Sequence, residues 1–139
     1  MKKTGLKRTT IDKFYTAHTI VNKCINSIKQ NINIGKNDIC IEPSAGNGSF
    51  INGIKSLTKN YMFYDLEPEN DEVIKKDYLE YDYKTLIREP NSKIHIIGNP
   101  PFGRQSSLAI KFIKKSCEYC DSISFILPKS FKKDSLKKH

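Results

Sequence analysis

Asn99-Pro100-Pro101-Phe102 closes a short apolar run, Ile94-His95-Ile96-Ile97, in this 139-residue chain. The run reads as a buried β-strand, which two successive prolines cannot continue. Each removes a ladder donor and holds the backbone extended. An amide side chain, rigidly held carbonyls and an aromatic ring are thereby presented together at the C-terminal edge of a sheet. That set can grip a planar group bearing an amino nitrogen. The Asn99 side-chain oxygen and the Pro100 carbonyl accept from the NH₂, and Phe102 offers its face to the ring.

A second constellation lies upstream. Asp38-Ile39-Cys40-Ile41 reads as another strand and runs into Glu42-Pro43-Ser44-Ala45-Gly46-Asn47-Gly48, a glycine-bearing turn ahead of a helix. A lone G-x-G is a weak signal, and the full dinucleotide fingerprint is absent. Its place between strand and helix is the informative part, because ligand atoms approach the backbone closely at such an edge. Asp65 ends the next strand, where a carboxylate can accept from both hydroxyls of a ribose. Glu67, two residues on, reads as a solvated turn residue.

The elements that must position these groups alternate. Ile20, Val21, Cys24, Ile25 and Ile28 recur at helical spacing over 17–31. A strand over 38–42 precedes the glycine turn. A helix follows with Phe50, Ile51, Ile54 and Leu57 as its apolar positions. Strands are expected over 61–66, 93–98 and 122–127, the last closed by Pro128, and a helix over 106–118. Val73-Ile74 reads as a short strand or part of a brief helix, Asp77-Tyr78-Leu79 as the start of a turn, and 81–88 as helical. Near-continuous apolar strands alternating with helices indicate α/β architecture, a mostly parallel sheet covered on both faces. No repeat, linker or domain boundary interrupts residues 1–139, so one domain is expected, with 1–12 a loosely ordered basic arm.

Lysine and arginine number 24 against 15 aspartates and glutamates, a net charge of +9. That surplus favours a polyanionic partner, nucleic acid above others. No run approaches the roughly 18 apolar residues of a membrane span, and the basic N-terminus lacks the apolar core of a secretory signal. Cys24 and Cys40 read as small buried hydrophobes. Cys117 and Cys120 form a lone C-x-x-C at a helix end, without the second pair or His cluster that zinc requires. Reduced thiols and an intracellular setting, cytoplasmic or nuclear, are the expectation.

Asn-Pro-Pro-Phe resembles the catalytic motif of amino-group methyltransferases that use S-adenosylmethionine, above all the N6-adenine enzymes, and Glu42 to Gly48 is similar to their cofactor turn. The resemblance covers residues 11 to 131 and implies a Rossmann-like methyltransferase fold. It assigns the cofactor to Glu42, Ser44, Ala45 and Gly46, to Asp65 with Leu66 at the ribose, and to Asn99. Asp77 and Tyr78 take the family's Asp-Phe-Leu position beside the adenine of the cofactor. Phe14-Tyr15-Thr16 resembles the segment that holds its methionine end through Tyr15 and Thr16, with Ala17 where proline is common. Asn99, Pro100, Pro101 and Phe102 carry the catalytic roles, and no metal is implied. Arg104, after the catalytic loop, and Lys129, after Phe125-Ile126-Leu127-Pro128, are the expected nucleic-acid contacts.

The resemblance implies methyl transfer to the N6 amino group of adenine, in DNA ahead of RNA. The family's sixth and seventh strands and target-recognition region have no counterpart before His139. The expectation is therefore a C-terminally truncated fold, either a fragment or a chain completed by a protein partner. Two alternatives stand beside it: a methyltransferase for glutamine amides in proteins, and an inactive subunit that binds cofactor or nucleic acid.

Overall fold

Five strands form one all-parallel sheet: β1 (Ile39–Glu42), β2 (Tyr61–Asp65), β3 (Ile74–Lys75), β4 (Ile94–Gly98) and β5 (Ser122–Phe125). Their order across the sheet is β3-β2-β1-β4-β5. The computed structural model describes residues 16–132. The arm expected over 1–12, Tyr15 and the tail beyond 132 lie outside the described residues. The chain lays down β1, β2 and β3 in one direction, then returns across β1 to place β4 on its other side. A crevice opens at such a reversal, outside the carboxyl ends of the strands. Here it falls between the ends of β1 and β4, where the two sequence constellations meet.

Burial follows the two-residue period of a strand. Ile39, Ile41, Ile94 and Ile96 enter one apolar cluster, while Cys40 and Ile97 enter the cluster on the opposite face. The second face is covered by helix α1 (His18–Asn31), through Val21, Ile25 and Ile28, and by α2 (Ile51–Lys55). Helix α3 (Ser107–Cys117) covers the first face through Phe112, together with Tyr78 and Tyr81. Both faces being dry, β1 and β4 are buried along their whole length and their sequences are almost wholly apolar.

At the amino ends of the strands a polar chain ties three of them together. His95 Nε2 lies 2.9 Å from Asp38 Oδ2, and its Nδ1 lies 2.7 Å from Ser122 Oγ. Asp38 also accepts from the backbone N–H groups of Gly35 and Lys93, each at 2.9 Å. Burial raises the Asp38 carboxyl, but its hydrogen bonds from His95, Lys93 and Gly35 outweigh that and leave its pKa below 3.8.

Several expectations needed adjustment. Helix α2 is a single short turn that stops before Leu57. The helix expected over 81–88 is only a 3₁₀ turn at Tyr83–Thr85. Its aromatic residues are drawn instead onto Tyr119, just past the end of α3: Tyr83 lies 4.6 Å from it with ring planes nearly parallel, and Tyr81 lies 6.1 Å from it, edge to face. For Val73-Ile74 the strand alternative is realised, as the two-residue β3. Cys40 is fully buried and its thiol is pushed up to about 12, by burial first and then by the Asp38 charge. Cys24 is only half-buried, and all four cysteines are free. No helix among the described residues is long and apolar enough to cross a membrane.

Candidate active site

Glu42 ends β1 and Gly98 ends β4, side by side in the sheet. Gly98 has a φ of +149°, and a Cβ there would sit 2.9 Å from Glu42 Cγ and 3.0 Å from its Oε2. Only glycine lets the glutamate fold into this corner. Glu42 is 2% exposed, and its Oε1 has no hydrogen-bond partner among the described residues. Burial, and secondarily the nearby charge of Asp65, raises its pKa well above 4.5. An orphaned buried carboxyl oxygen calls for a missing partner.

The glycine turn follows at once. Gly46 adopts φ +54°, and its N–H donates to Asp65 Oδ2 at 2.8 Å. Asp65 Oδ1 accepts from Glu67 N–H at the same distance. Asp65 therefore locks the turn after β1 onto the end of β2 before any ligand arrives. Asp77 stands at the end of the short crossing from β3 and caps the 3₁₀ turn Tyr78–Glu80, accepting from Leu79 N–H at 3.0 Å. Tyr78 is 1% exposed, with its hydroxyl 2.7 Å from Ser116 Oγ and 2.8 Å from the Tyr119 hydroxyl. Burial pushes that phenol up to about 12, and its hydroxyl is committed to the α3 side.

Asn99 is gripped twice. Ser44 Oγ donates to its backbone carbonyl at 3.1 Å, and its own Nδ2 donates to Thr16 Oγ1 at 3.1 Å. Its Oδ1 accepts nothing from the described residues. Thr16, a natural candidate to cap α1, does not do so; Ala17 occupies that position without a side-chain bond. Beyond the prolines, Gly103, Gln105 and Ser106 all have positive φ, at +71°, +54° and +63°. Two adjacent non-glycine residues in this region store backbone strain where the loop turns into α3. Helix α3 accordingly starts at Ser107, one residue later than its periodicity predicts.

These groups surround a cavity of about 440 Å³. Every expected cofactor contact within the described residues, from Thr16 and Glu42 through Asp65 and Asp77 to Asn99, lines it. Pro101 lines it too. Pro100 is buried and off the lining, half-exposed Phe102 is off it as well, and the Phe102 carbonyl accepts from Leu108 and Ala109 at the start of α3. Arg104 and Lys129 are exposed and also lie off the lining. Phe50, Leu79 and Phe112 were not anticipated. Their spacing reads as ordinary core, and nothing in the sequence separates a core aromatic from one that also floors a cavity.

Four acidic residues, Glu42, Asp65, Glu67 and Asp77, line one cavity against a single lysine, Lys76, and Glu42 Oε1 has no hydrogen-bond partner among the described residues. Such a donor set suits a cationic ligand with hydroxyl groups. S-adenosylmethionine, with its sulfonium, ammonium and ribose, fits it.

No family model matches this chain. Among curated proteins it is similar to the ribosomal RNA small subunit methyltransferase A of Francisella tularensis subsp. novicida, 27% identical over 140 residues. The match takes in 91% of this chain and 52% of that protein, so the chain spans about half the length of this curated relative. The same protein from subsp. tularensis matches at 26% identity over equal shares. Among solved structures, a proposed RNA methyltransferase of Pyrococcus horikoshii superposes with a TM-score of 0.65 at 16% identity, covering 89% of this chain and 68% of that one. The methyltransferase subunit of a type I restriction-modification system from Streptococcus thermophilus superposes at 0.55, also 16% identical, over 84% of this chain and 35% of that one. The fold is thus the Rossmann-like α/β fold of methyltransferases, and S-adenosylmethionine is the expected cofactor.

Proposed function

We propose that this chain is the catalytic module of a methyltransferase for the N6 amino group of adenine in nucleic acid, with RNA ahead of DNA. The observation that carries the reading is the placement of Asn99. Its amide oxygen accepts from none of the described residues, and Asn99 lines the same cavity as Glu42, Asp65 and Asp77. S-adenosylmethionine, when bound, supplies a methyl group on a sulfonium, an electrophile that needs no activation by the protein.

The chain's own part is positioning and charge. Glu42 is the partner for a positive group of the cofactor, and Asp65 accepts from its ribose with the lone pairs its backbone bonds leave free. Asp77, which lines the same cavity, is assigned to the adenine end of the cofactor. Asn99 Oδ1 and the Pro100 carbonyl accept the two N–H bonds of the target amine, which favours the nitrogen as positive charge develops on it. Phe102 serves as the stacking face for the base. In a duplex the base must first leave the stack.

Charge supports a nucleic-acid substrate over a glutamine amide. Residues 65 to 72, at the β2 side of the cavity, carry five carboxylates and no cation, whereas 104 to 115, following the Asn99 loop, carry four cations and no carboxylate. A cationic cofactor is thereby drawn to the first segment and a polyanionic substrate to the second. Arg104, in the second segment, and Lys129 are assigned to phosphates outside the cavity. The earlier expectation of DNA ahead of RNA finds no support in the relatives, whose names specify ribosomal RNA. A protein partner that completes target recognition belongs to the same proposal.

Transfer of labelled methyl to RNA, single-stranded DNA, duplex DNA and protein tests the reading. Label in adenine of RNA is expected, abolished by Asn99→Ala in protein that still binds the cofactor. Label in glutamine of the protein, or an active Asn99→Ala variant, would overturn it.

A further inference from the structure

We propose that Thr16 is a positioning residue that makes the orientation of Asn99 depend on whether the cofactor is bound. The inference rests on the reading of Asn99 given above. An asparagine side chain can present either its oxygen or its NH₂ to the cavity, and only the oxygen can accept from a substrate amine. The backbone leaves little else to vary. Ser44 Oγ holds the Asn99 carbonyl at 3.1 Å, and Gly98 is wedged against Glu42. Rotation of the amide is the freedom that remains.

Thr16 Oγ1 is the side-chain partner of that amide, at 3.1 Å from Nδ2 and 83 residues away in sequence. A hydroxyl has one proton and two lone pairs. With its proton free, Thr16 can donate to Asn99 Oδ1 as readily as it accepts from Nδ2, so both amide orientations are satisfied. Thr16 also lines the cofactor cavity. An acceptor on the bound cofactor, its carboxylate being the strongest, takes the Thr16 proton and leaves only lone pairs toward Asn99. The amide must then keep Nδ2 on Thr16 and turn Oδ1 to the substrate. In the flipped orientation an NH₂ would face the substrate NH₂, donor against donor. Cofactor binding therefore prepares the substrate acceptor, and the order of binding is cofactor first.

Two readouts that need no turnover test this. The first is the affinity of a short adenine-containing RNA oligonucleotide with and without S-adenosylhomocysteine, which carries the same carboxylate and cannot react. In the wild-type protein the cofactor product should tighten the oligonucleotide roughly 3- to 10-fold, the effect of one hydrogen bond gained. Thr16→Ser should keep that coupling. Thr16→Val, equal in shape but without the hydroxyl, should lose it to within about twofold. The second is proton exchange of the Asn99 side-chain NH₂ by NMR, assigned by its absence in Asn99→Asp. S-adenosylhomocysteine should slow that exchange in wild type and Thr16→Ser and leave it unchanged in Thr16→Val. Intact coupling or intact slowing in Thr16→Val would overturn the proposal, even if that variant binds the cofactor product less tightly, because Thr16 would then be a cofactor contact alone. An oligonucleotide that fails to bind wild type overturns the nucleic-acid reading instead, and the exchange measurement then decides the role of Thr16 by itself.

Discussion

Replacing Glu42 by Gln should change how stability varies with pH and remove the cofactor's electrostatic anchor. In the unfolded chain Glu42 ionises near 4.5, whereas in the fold burial and the Asp65 charge keep it protonated to a much higher pH. Between those two values the folded state holds a proton that the unfolded state has released. Stability therefore falls as pH rises above 4.5 and levels off at the folded pKa. Each pH unit between the two values costs about 1.36 kcal/mol. Glutamine does not titrate. Its extra N–H groups cost about 1–3 kcal/mol at every pH for want of partners. Relative to wild type, the variant should start less stable near pH 4.5 and regain about 1.36 kcal/mol for each pH unit up to the folded pKa of Glu42.

Urea unfolding of both proteins across that range reads the difference directly, and other titrating groups cancel. Parallel curves, agreeing within about 0.5 kcal/mol of a constant offset, would refute the buried neutral carboxyl. Calorimetry supplies the ligand side. A cationic cofactor should ionise Glu42, so binding at a pH below its raised folded pKa should release a proton, seen as a dependence of the heat on the buffer's ionisation enthalpy. Glu42→Gln should release none and bind at least about 30-fold more weakly, the lower end of truncating a buried charged pair.

Gly98→Ala should destabilise the fold by several kcal/mol, on the order of 2–4, because the new methyl both opposes φ +149° and meets Glu42 Cγ at 2.9 Å; thermal unfolding within about 2 °C of wild type would contradict that packing. Asp65→Ala should weaken S-adenosylmethionine by about 1.5–3 kcal/mol and loosen the turns it holds through Gly46 and Glu67. An unchanged dissociation constant would remove Asp65 from the ribose. Asp38→Asn should cost about 2–4 kcal/mol near neutral pH, since its oxygens serve Gly35, Lys93 and His95. Because the folded pKa of Asp38 is lowered, that deficit should shrink as pH falls below 3.8, and a deficit independent of pH would show that its charge is not used.

The sheet was legible because its strands are buried on both faces, so sequences such as Ile39-Cys40-Ile41 and Ile94-His95-Ile96-Ile97 carry little but apolar residues. The candidate site was legible where a residue type is costly to keep for packing alone. Two prolines ending a strand, a glycine turn and an aspartate at a strand end are of that kind. Its wiring was not. Thr16 meets Asn99 across 83 residues, and no local pattern announces such a pair. The positive φ of Gln105 and Ser106 is equally silent, since neither residue type demands it. The reading of 81–88 as helical missed the contacts of Tyr81 and Tyr83 with Tyr119, which no local spacing announces.

The Asp38-His95-Ser122 chain brings together the residue types of a hydrolytic triad, yet it sits at the amino ends of the strands with His95 only 3% exposed. Its consequence is mechanical. It fastens β1, β4 and β5 at one end, and so fixes how far β4 reaches past β1 at the other. A slip of one residue would carry Asn99 about 3.3 Å along the strand axis and turn His95 toward the wrong face. Misplacement of about 1 Å is enough to slow a positioned reaction by two orders of magnitude. The tolerance to which the amide is aimed is thus machined at the far edge of the sheet, by side chains that never meet a ligand.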